Sequence, residues 1–135
     1  MTEVVFDRDE TLDVLCKDKL RIIQKKNGYR FSIDPILLAN FLILKKHERL
    51  LDIGSGCGII PVYLCKKSYG NEMLGIEIQE DLYNVSLKNK TINDCRNVSF
   101  MHGDIKVLAQ LLKQSPFHVV VSNPPYTKEK GGRKS

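Results

Sequence analysis

The sequence lacks the segments that carry proteins into or across a membrane. Its 135 residues contain no run of about 18 apolar residues, the length that a transmembrane helix needs. The opening stretch, MTEVVFDRDE, is acidic, whereas a secretory signal peptide begins with a basic region followed by an apolar one. We therefore expect a cytoplasmic, soluble protein that makes no contact with a membrane.

The sequence also lacks the cysteine spacing of a metal site or a disulfide framework. Cys16, Cys57, Cys65 and Cys95 are scattered, none of them forms a C-x-x-C pair, and no histidine stands at metal-ligand spacing. We expect four reduced thiols and no bound metal.

The chain carries more positive than negative charge, and the charged residues are unevenly distributed along it. The net charge of +5 mildly favours an anionic partner. Residues 1–15 are rich in acids, residues 16–30 are rich in bases, and a second basic cluster lies near the end. Charge clusters alone are typical of solvated surface, so a nucleic-acid partner requires a site between them. The basic residues are Lys17, Lys19, Arg21, Lys25, Lys26 and Arg30, then Lys128, Lys130, Arg133 and Lys134.

The first third of the chain predicts a hairpin and a helix. The segments LRIIQ and YRFSI flank KKNG, and an Asn-Gly pair between short apolar runs is a strong hairpin signal. Asp34 and Pro35 then form a helix start, with an N-cap followed by proline at the first helical position. Leucine and phenylalanine spacing predicts a helix from about Pro35 to Lys46.

The remainder alternates between strand-like and helix-like segments. The strands are RLLDIG, MLGIEI, VSFMHGD and HVVVSN, and the helices between them are IIPVYLCKK, EDLYNVSLKNKTIN and IKVLAQLLKQ. Short apolar strands joined by helical crossovers indicate a parallel sheet. The predicted fold class is therefore α/β with a Rossmann-like sheet of at least four strands, and ligands should bind at the carboxyl ends of those strands.

The first predicted strand runs into LDIGSGCGII, which places Gly54, Gly56 and Gly58 where strand turns into helix. The dinucleotide fingerprint G-x-G-x-x-G does not fit, because Ile59 stands where its third glycine belongs. Asp52 lies two residues before the first glycine, where a carboxylate suits a cationic ligand better than a pyrophosphate.

The pattern D-x-G-x-G-x-G resembles motif I of the class I methyltransferases, which bind S-adenosylmethionine. The resemblance implies that Asp52 and the three glycines bind this cofactor, that Glu77 binds its ribose and that Ile78 lies beside its adenine. It also implies that Asp104 accepts from the adenine amino group, next to Ile105. A surface role for Glu77 and a helix-capping role for Asp104 are the alternatives.

The fourth predicted strand is followed by NPPY. Asn123 offers a side-chain oxygen, Pro124 offers a carbonyl oxygen, and Tyr126 offers an aromatic face for a flipped-out base. Two acceptors for the two hydrogens of an amino group would expose the nitrogen lone pair to a methyl group. NPPY resembles motif IV of the amino-methyltransferases, which implies that Asn123, Pro124 and Tyr126 are catalytic and that Asn123 also borders the cofactor.

The stretch LRIIQKKNGYRFSIDPILLANF resembles the N-terminal part of bacterial tRNA adenine-N6 methyltransferases and of other small-domain methyltransferases. The resemblance covers roughly residues 10–126. It implies adenine N6 in tRNA as the target, Phe31 and Asp34 near the cofactor, and basic clusters that hold RNA phosphates at the mouth of the pocket. A core role for Phe31 and an N-cap role for Asp34 are the alternatives. Two other functions stay open: methylation of a glutamine amide in a release factor, and a cofactor-binding module without turnover.

The segment after NPPY departs from the family pattern. A complete class I domain has further strands there, whereas TKEKGGRKS is polar and reads as a flexible basic tail. We expect a truncated domain whose fourth strand has an unpaired edge that could support a dimer. The expected division is an N-terminal arm and hairpin over 1–33, an incomplete cofactor-binding domain over 34–126 and the tail over 127–135.

Overall fold

A four-stranded parallel sheet forms the centre of the fold. The computed structural model describes residues 4–16, 19–26 and 34–122. The sheet strands stand in the order β5-β4-β3-β6, and each neighbouring pair is parallel. Their bounds, with those of the preceding elements, are β1 Glu10–Leu15, β2 Leu20–Lys25, α1 Asp34–Phe41, β3 Leu50–Ile53, α2 Ile59–Lys66, β4 Met73–Glu77, α3 Glu80–Ile92, β5 Val98–His102, α4 Ile105–Leu112 and β6 Val119–Ser122.

The predicted alternation of strands and helices is confirmed from β3 to β6. Each observed element lies within its predicted segment and is shorter than it by one or two residues. The prediction succeeds because the strands are short apolar runs and the helices carry their apolar residues at helical spacing. The predicted α/β class and parallel sheet are thereby confirmed.

The N-terminal hairpin pairs β1 with β2. The two strands are antiparallel, with Leu12 opposite Ile23 and Leu15 opposite Leu20. LRIIQ is therefore a strand as predicted, but the strand that pairs with it in the described structure is ETLDVL, which the sequence analysis left unassigned. The predicted partner YRFSI and the Asn-Gly turn lie in 27–33, outside the described residues.

Helix α1 ends at Phe41, five residues before the predicted end. Beyond it, the Leu42 amide donates to the Ala39 carbonyl at 3.1 Å, a bond of the tighter type that closes many helices. Ile43 is 82% exposed while Leu44 is buried. The prediction that the helix continues to Lys46 was wrong, because Leu44 is buried from a segment without regular secondary structure.

The hairpin and the sheet share one hydrophobic core. Leu20, Ile22 and Ile23 of β2 are fully buried in the same cluster as Leu50 of β3 and Val62 of α2. Strand β2 is thus buried like an interior element, whereas Leu12 and Val14 of β1 are largely exposed. The hairpin therefore packs on the sheet domain through β2.

Helix α4 and strand β6, the last two elements described, are more exposed to solvent. Helix α4 has no buried residue, and Val107 and Leu111 on it are more than half exposed. Strand β6 stands at the end of the sheet order among the described residues, with Val120 57% exposed. The dimer predicted for this edge stays a prediction.

No helix within residues 4–16, 19–26 and 34–122 has both the length and the apolar character that crossing a membrane requires.

Close packing at Gly75 gives a test of the sheet. A Cβ atom at Gly75 would lie 2.7 Å from Phe100 Cδ1 and 2.8 Å from the Ser55 Cβ. We expect Gly75→Ala to lower the free energy of unfolding by about 1–3 kcal/mol, because the added methyl group overpacks this contact. Chemical denaturation measures the change.

Gly70→Ala is the matched control. Gly70 also lacks a positive φ, and an added Cβ there meets no atom within 4 Å among the described residues. We expect a change of less than about 0.5 kcal/mol at this position. Equal losses in the two variants would contradict the packing described for Gly75.

Candidate functional site

The candidate site lies where the strand order changes direction. From β3 the chain builds outward through β4 to β5, and it then returns to place β6 on the other side of β3. Ile53 at the end of β3 is paired with Ser122 at the end of β6. Crevices at such switch points are the usual ligand sites of open α/β sheets.

The turn after β3 has the backbone that its glycines allow. Gly54, Gly56 and Gly58 have φ values of 72°, 59° and 88°, all in the left-handed region that other residues avoid. An added Cβ at Gly54 or Gly56 would meet no atom within 4 Å in the part of the chain described. Both positions therefore border space, open among the described residues, from which a ligand could approach the backbone.

Asp52 is the least satisfied polar group near this turn. The residue is 1% exposed, and neither carboxylate oxygen has a hydrogen-bond partner among the described residues. Burial raises the pKa of the Asp52 carboxyl to about 8, and the nearby Glu77 carboxylate adds to the rise. A buried acceptor without a donor is uncommon in native proteins, and a cationic or hydrogen-bond-donating ligand would satisfy it.

Glu77 fixes the glycine turn from the neighbouring strand. Its Oε1 atom accepts the Gly56 amide at 2.6 Å, and its Oε2 atom accepts the Gln79 amide at 3.0 Å. The residue is only 5% exposed, so the alternative of a surface glutamate is wrong. Each carboxylate oxygen can accept a second hydrogen bond, so the predicted contact with a ribose stays a prediction.

The other strand ends place three predicted residues at the same edge. Ile78, after β4, is 60% exposed, and its carbonyl lies 3.1 Å from Nε2 of His102, which stacks on Tyr83. Asp104 caps α4, since its Oδ1 accepts the Lys106 amide at 2.9 Å. Helix α4 then begins at Ile105, which is half-buried. The capping role of Asp104 is therefore real, and the contacts of all three with a cofactor stay predictions.

Several predicted residues are placed elsewhere or not described. Asn123, Pro124 and Tyr126 lie outside the described residues, as does Phe31. Asp34 is exposed and is the first residue of α1, where the helix dipole favours a carboxylate. Helix α1 is held to α2 by the Tyr63 hydroxyl, which donates to Asn40 Oδ1 at 2.8 Å. A role for Asp34 at the cofactor stays a prediction.

The first basic cluster is partly neutralised. Lys25 Nζ lies 3.1 Å from Asp9 Oδ2, 3.8 Å from Glu10 Oε2 and 4.0 Å from Asp7 Oδ2. The bond to Lys25 lowers the pKa of the Asp9 carboxyl. Lys25 is thus a poor candidate for a phosphate contact, and the exposed members described are Lys19, Arg21 and Lys26.

Two residues of the site were missed in the sequence. Ser55 lies inside the glycine turn with a buried hydroxyl that has no hydrogen-bond partner in the described structure. Asn89, on α3, donates to the Cys57 carbonyl in the same turn at 2.8 Å. The burial of Asn89 could have been predicted from the sequence, because Asn89 continues the helical spacing of the apolar residues Leu82 and Val85.

Comparison with known proteins identifies the family. The methyltransferase small domain family matches residues 32–135. The chain belongs to that family. The predicted family is confirmed, and with it S-adenosylmethionine as the cofactor that methyltransferases of this kind use.

The curated relatives of this small-domain methyltransferase differ in substrate. A release factor glutamine methyltransferase of Fusobacterium nucleatum is 34% identical over 60% of this chain and 22% of the relative. A tRNA1(Val) (adenine(37)-N6)-methyltransferase of Pseudoalteromonas translucida is 26% identical over 80% of this chain and 45% of the relative. A ribosomal RNA small subunit methyltransferase A of Lachnoclostridium phytofermentans is 32% identical over 89% and 43%. The chain spans less than half the length of each.

Solved structures support the fold. A SAM-dependent methyltransferase from Agrobacterium tumefaciens superposes with a TM-score of 0.64 over 90% of this chain and 41% of that chain, at 11% identity. M. jannaschii TYW2 in complex with AdoMet superposes with a TM-score of 0.63 over 78% and 48%, at 18% identity. At these identities the likeness concerns the fold alone.

The residues of the turn fit the family's cofactor. S-adenosylmethionine carries a sulfonium and an ammonium group and lacks phosphate, so it could supply the cation or donor that the Asp52 oxygens lack among the described residues. The open faces of Gly54 and Gly56 let a ligand approach the backbone.

The burial of Asp52 predicts a pH dependence of stability. The folded-state pKa of about 8 exceeds the ordinary value of 3.8, so the folded chain holds a proton that the unfolded chain releases between these values. Stability is then lost as pH rises through this window, by up to about 1.4 kcal/mol per pH unit. We expect Asp52→Asn to remove this contribution, so that the variant gains stability relative to the wild type between pH 5 and about 8.

Denaturation at several pH values measures the effect. Asp94→Asn serves as the control, because the Asp94 side chain is exposed and its Oδ1 atom lies 3.6 Å from Nε of Arg96. The control should follow the wild-type slope. If Asp52→Asn also follows it, Asp52 is ionised in the folded chain and the buried-acid account fails.

Proposed function

We propose that this chain binds S-adenosylmethionine at the β3 turn and belongs to an enzyme that transfers its methyl group to an exocyclic amino nitrogen, adenine N6 in tRNA. The single observation that carries the proposal is the buried, unpartnered carboxylate of Asp52 beside a glycine turn with open faces. An acceptor in this state favours a cation or a donor, and the methyl donor offers both.

The choice of RNA rests on how much of the chain each relative matches. The two RNA methyltransferases align over 80% and 89% of the chain, against 60% to 71% for the release factor enzymes. The alignment with the ribosomal RNA methyltransferase covers 89% of the 135 residues. The number of residues that it leaves out is smaller than the number that precede β2, so the aligned stretch includes both β2 and α3. Strand β2 of the hairpin thus lies within the similarity with an RNA-modifying relative.

The proposed chemistry follows from the end of β6. Ser122 is level with Ile53, one residue before the glycine turn, and Asn123 follows Ser122 in the sequence. We assign the Asn123 amide oxygen and the Pro124 carbonyl as acceptors for the two hydrogens of the target amino group. With both hydrogens held, the nitrogen lone pair attacks the methyl carbon, the carbon–sulfur bond breaks, and one amino proton leaves to solvent. Tyr126 stacks on the base.

A glutamine amide is the second candidate target. A release factor glutamine methyltransferase gives the highest identity of the three relatives, at 34%. The same pair of acceptors serves an amide nitrogen, whose lone pair is also delocalised. The longer alignment with the RNA-modifying relatives, which takes in β2, is what favours RNA over this candidate.

Transfer of a labelled methyl group tests the proposal. We expect the chain with labelled S-adenosylmethionine to label bulk tRNA and not a release factor, because the target is a base. Nuclease digestion of the product locates the label on adenine. Label on the release factor alone would favour the second candidate. Binding of the cofactor with no label on either would leave a cofactor-binding module without turnover.

Asn123→Ala is the control for the chemistry. The side chain is proposed to contact the target amino group, so transfer should be lost while the affinity for S-adenosylhomocysteine changes less than about threefold. A large loss of that affinity would place Asn123 in the cofactor site instead.

Glu77→Ala should act on the cofactor. The substitution removes both the proposed ribose contact and the bond to the Gly56 amide. We expect the affinity for S-adenosylmethionine, measured by calorimetry, to fall by about 1–3 kcal/mol. Glu80→Ala on the exposed first turn of α3 is the matched control and should change little. Unchanged affinity in Glu77→Ala would remove Glu77 from the site.

A further inference from the structure

Asn89 is a buried amide on the apolar face of α3. It is fully buried, and its side chain makes three hydrogen bonds. Oδ1 accepts the Ile23 amide at 2.7 Å, while Nδ2 donates to the Ile23 carbonyl at 3.1 Å and to the Cys57 carbonyl at 2.8 Å. The oxygen is thereby bonded and both hydrogens of the amide are used.

Asn93, one helical turn later, makes the same pair of bonds to the hairpin. Its Oδ1 accepts the Arg21 amide at 3.1 Å, and its Nδ2 donates to the Arg21 carbonyl at 2.7 Å. Residues four apart on a helix are about 6 Å apart along its axis. Residues two apart on a strand are separated by about 6.6 Å. The spacing of the two asparagines therefore matches that of Arg21 and Ile23 on β2. Their side chains form hydrogen bonds with the backbone of β2 as a neighbouring strand would.

The third bond of each asparagine separates their roles. The second donor hydrogen of Asn93 goes to the Asn89 carbonyl at 2.8 Å, within α3 itself. The second donor hydrogen of Asn89 goes to Cys57, between Gly56 and Gly58. Glu77 holds the Gly56 amide from one side and Asn89 holds the Cys57 carbonyl from the other. Two successive residues of the glycine turn, Gly56 and Cys57, are thus each held by a hydrogen bond to a buried side chain.

We propose that Asn89 is a positioning residue for the cofactor turn, and that through it the β1–β2 hairpin helps to hold the turn in its binding geometry. The inference rests on the proposed function, since it assigns this turn to S-adenosylmethionine. The hairpin then contributes to the affinity for the cofactor, in addition to any contact that it makes with the substrate. Ile23 is the residue through which the hairpin acts, because both of its backbone groups are bonded to Asn89.

Asn89→Ala and Asn93→Ala form a matched pair of variants. Each removes one amide side chain, from α3 or from its C-cap, together with its bonds to one β2 residue, but only the first removes the bond to the Cys57 carbonyl. We expect calorimetry to show S-adenosylhomocysteine binding about three- to tenfold weaker in Asn89→Ala than in Asn93→Ala, from the loss of one hydrogen bond. The comparison is made at a temperature where both variants are folded by circular dichroism.

Hydrogen exchange of the turn amides gives a readout that does not depend on ligand. The Gly56 amide is bonded to Glu77, and the Gly58 amide donates to the Ser55 carbonyl at 2.9 Å. We expect both amides to exchange faster in Asn89→Ala and at the wild-type rate in Asn93→Ala. If Asn89→Ala does not fold, the same comparison is made between Asn89→Gln and Asn93→Gln, which keep the amide on a longer side chain.

The outcomes separate this inference from the proposed function. Equal affinity and equal exchange in the two variants, with a wild type that binds the cofactor, would overturn the positioning role alone. A wild type that binds neither S-adenosylmethionine nor S-adenosylhomocysteine would overturn the proposed function. Faster exchange in Asn89→Ala would still support the role of Asn89 in holding the turn.

Discussion

The hydrogen bond between the Glu77 carboxylate and the Gly56 amide is the contact on which the site depends. At 2.6 Å it joins the end of β4 to the turn after β3, and the second carboxylate oxygen joins the same residue to the start of α3. A charged acceptor makes such a bond stronger than one between neutral groups. It fixes the left-handed backbone of the turn, and it also places a negative charge near Asp52, whose own ionisation it opposes. One interaction thus shapes the turn and helps to keep its neighbouring acid protonated.

The hairpin completes this arrangement from the other side. Helix α3 holds β2 through Asn89 and Asn93, and it holds β1 through Lys88, which lies 2.8 Å from the buried carboxylate of Glu10. Glu10 also accepts the Asp7 amide at 2.9 Å. Buried polar groups are stabilising only when their partners are present, so these contacts fix the orientation of the hairpin as well as its attachment. Contacts through α3 therefore link the described N-terminal strands to the glycine turn.

The sequence predicted the parts of the fold that depend on local pattern. The alternation from β3 to β6, the positive φ values after Asp52 and the capping of α4 by Asp104 all follow from residue types within a few positions. Strand β1 was not predicted, because the Asn-Gly signal assigned YRFSI as the partner of LRIIQ and left ETLDVL without a partner. The role of Asn89 depends on contacts to residues 66 and 32 positions away, which no local pattern contains.

The state of Asp52 argues that the site is built for a ligand and that stability alone does not explain it. Glu77, Asn89 and Asn93 are also buried, and each has hydrogen-bond partners, so these buried polar groups are satisfied. Asp52 and Ser55 are the exceptions within the described structure, and both border the glycine turn. An unpartnered buried acid costs free energy of folding, and an apolar residue of similar size would avoid that cost. Such a cost is typical of functional sites, where a group is held ready for a ligand that supplies the missing donor. A cationic ligand would then favour the ionised form of Asp52, because burial weakens the solvent screening between the two charges.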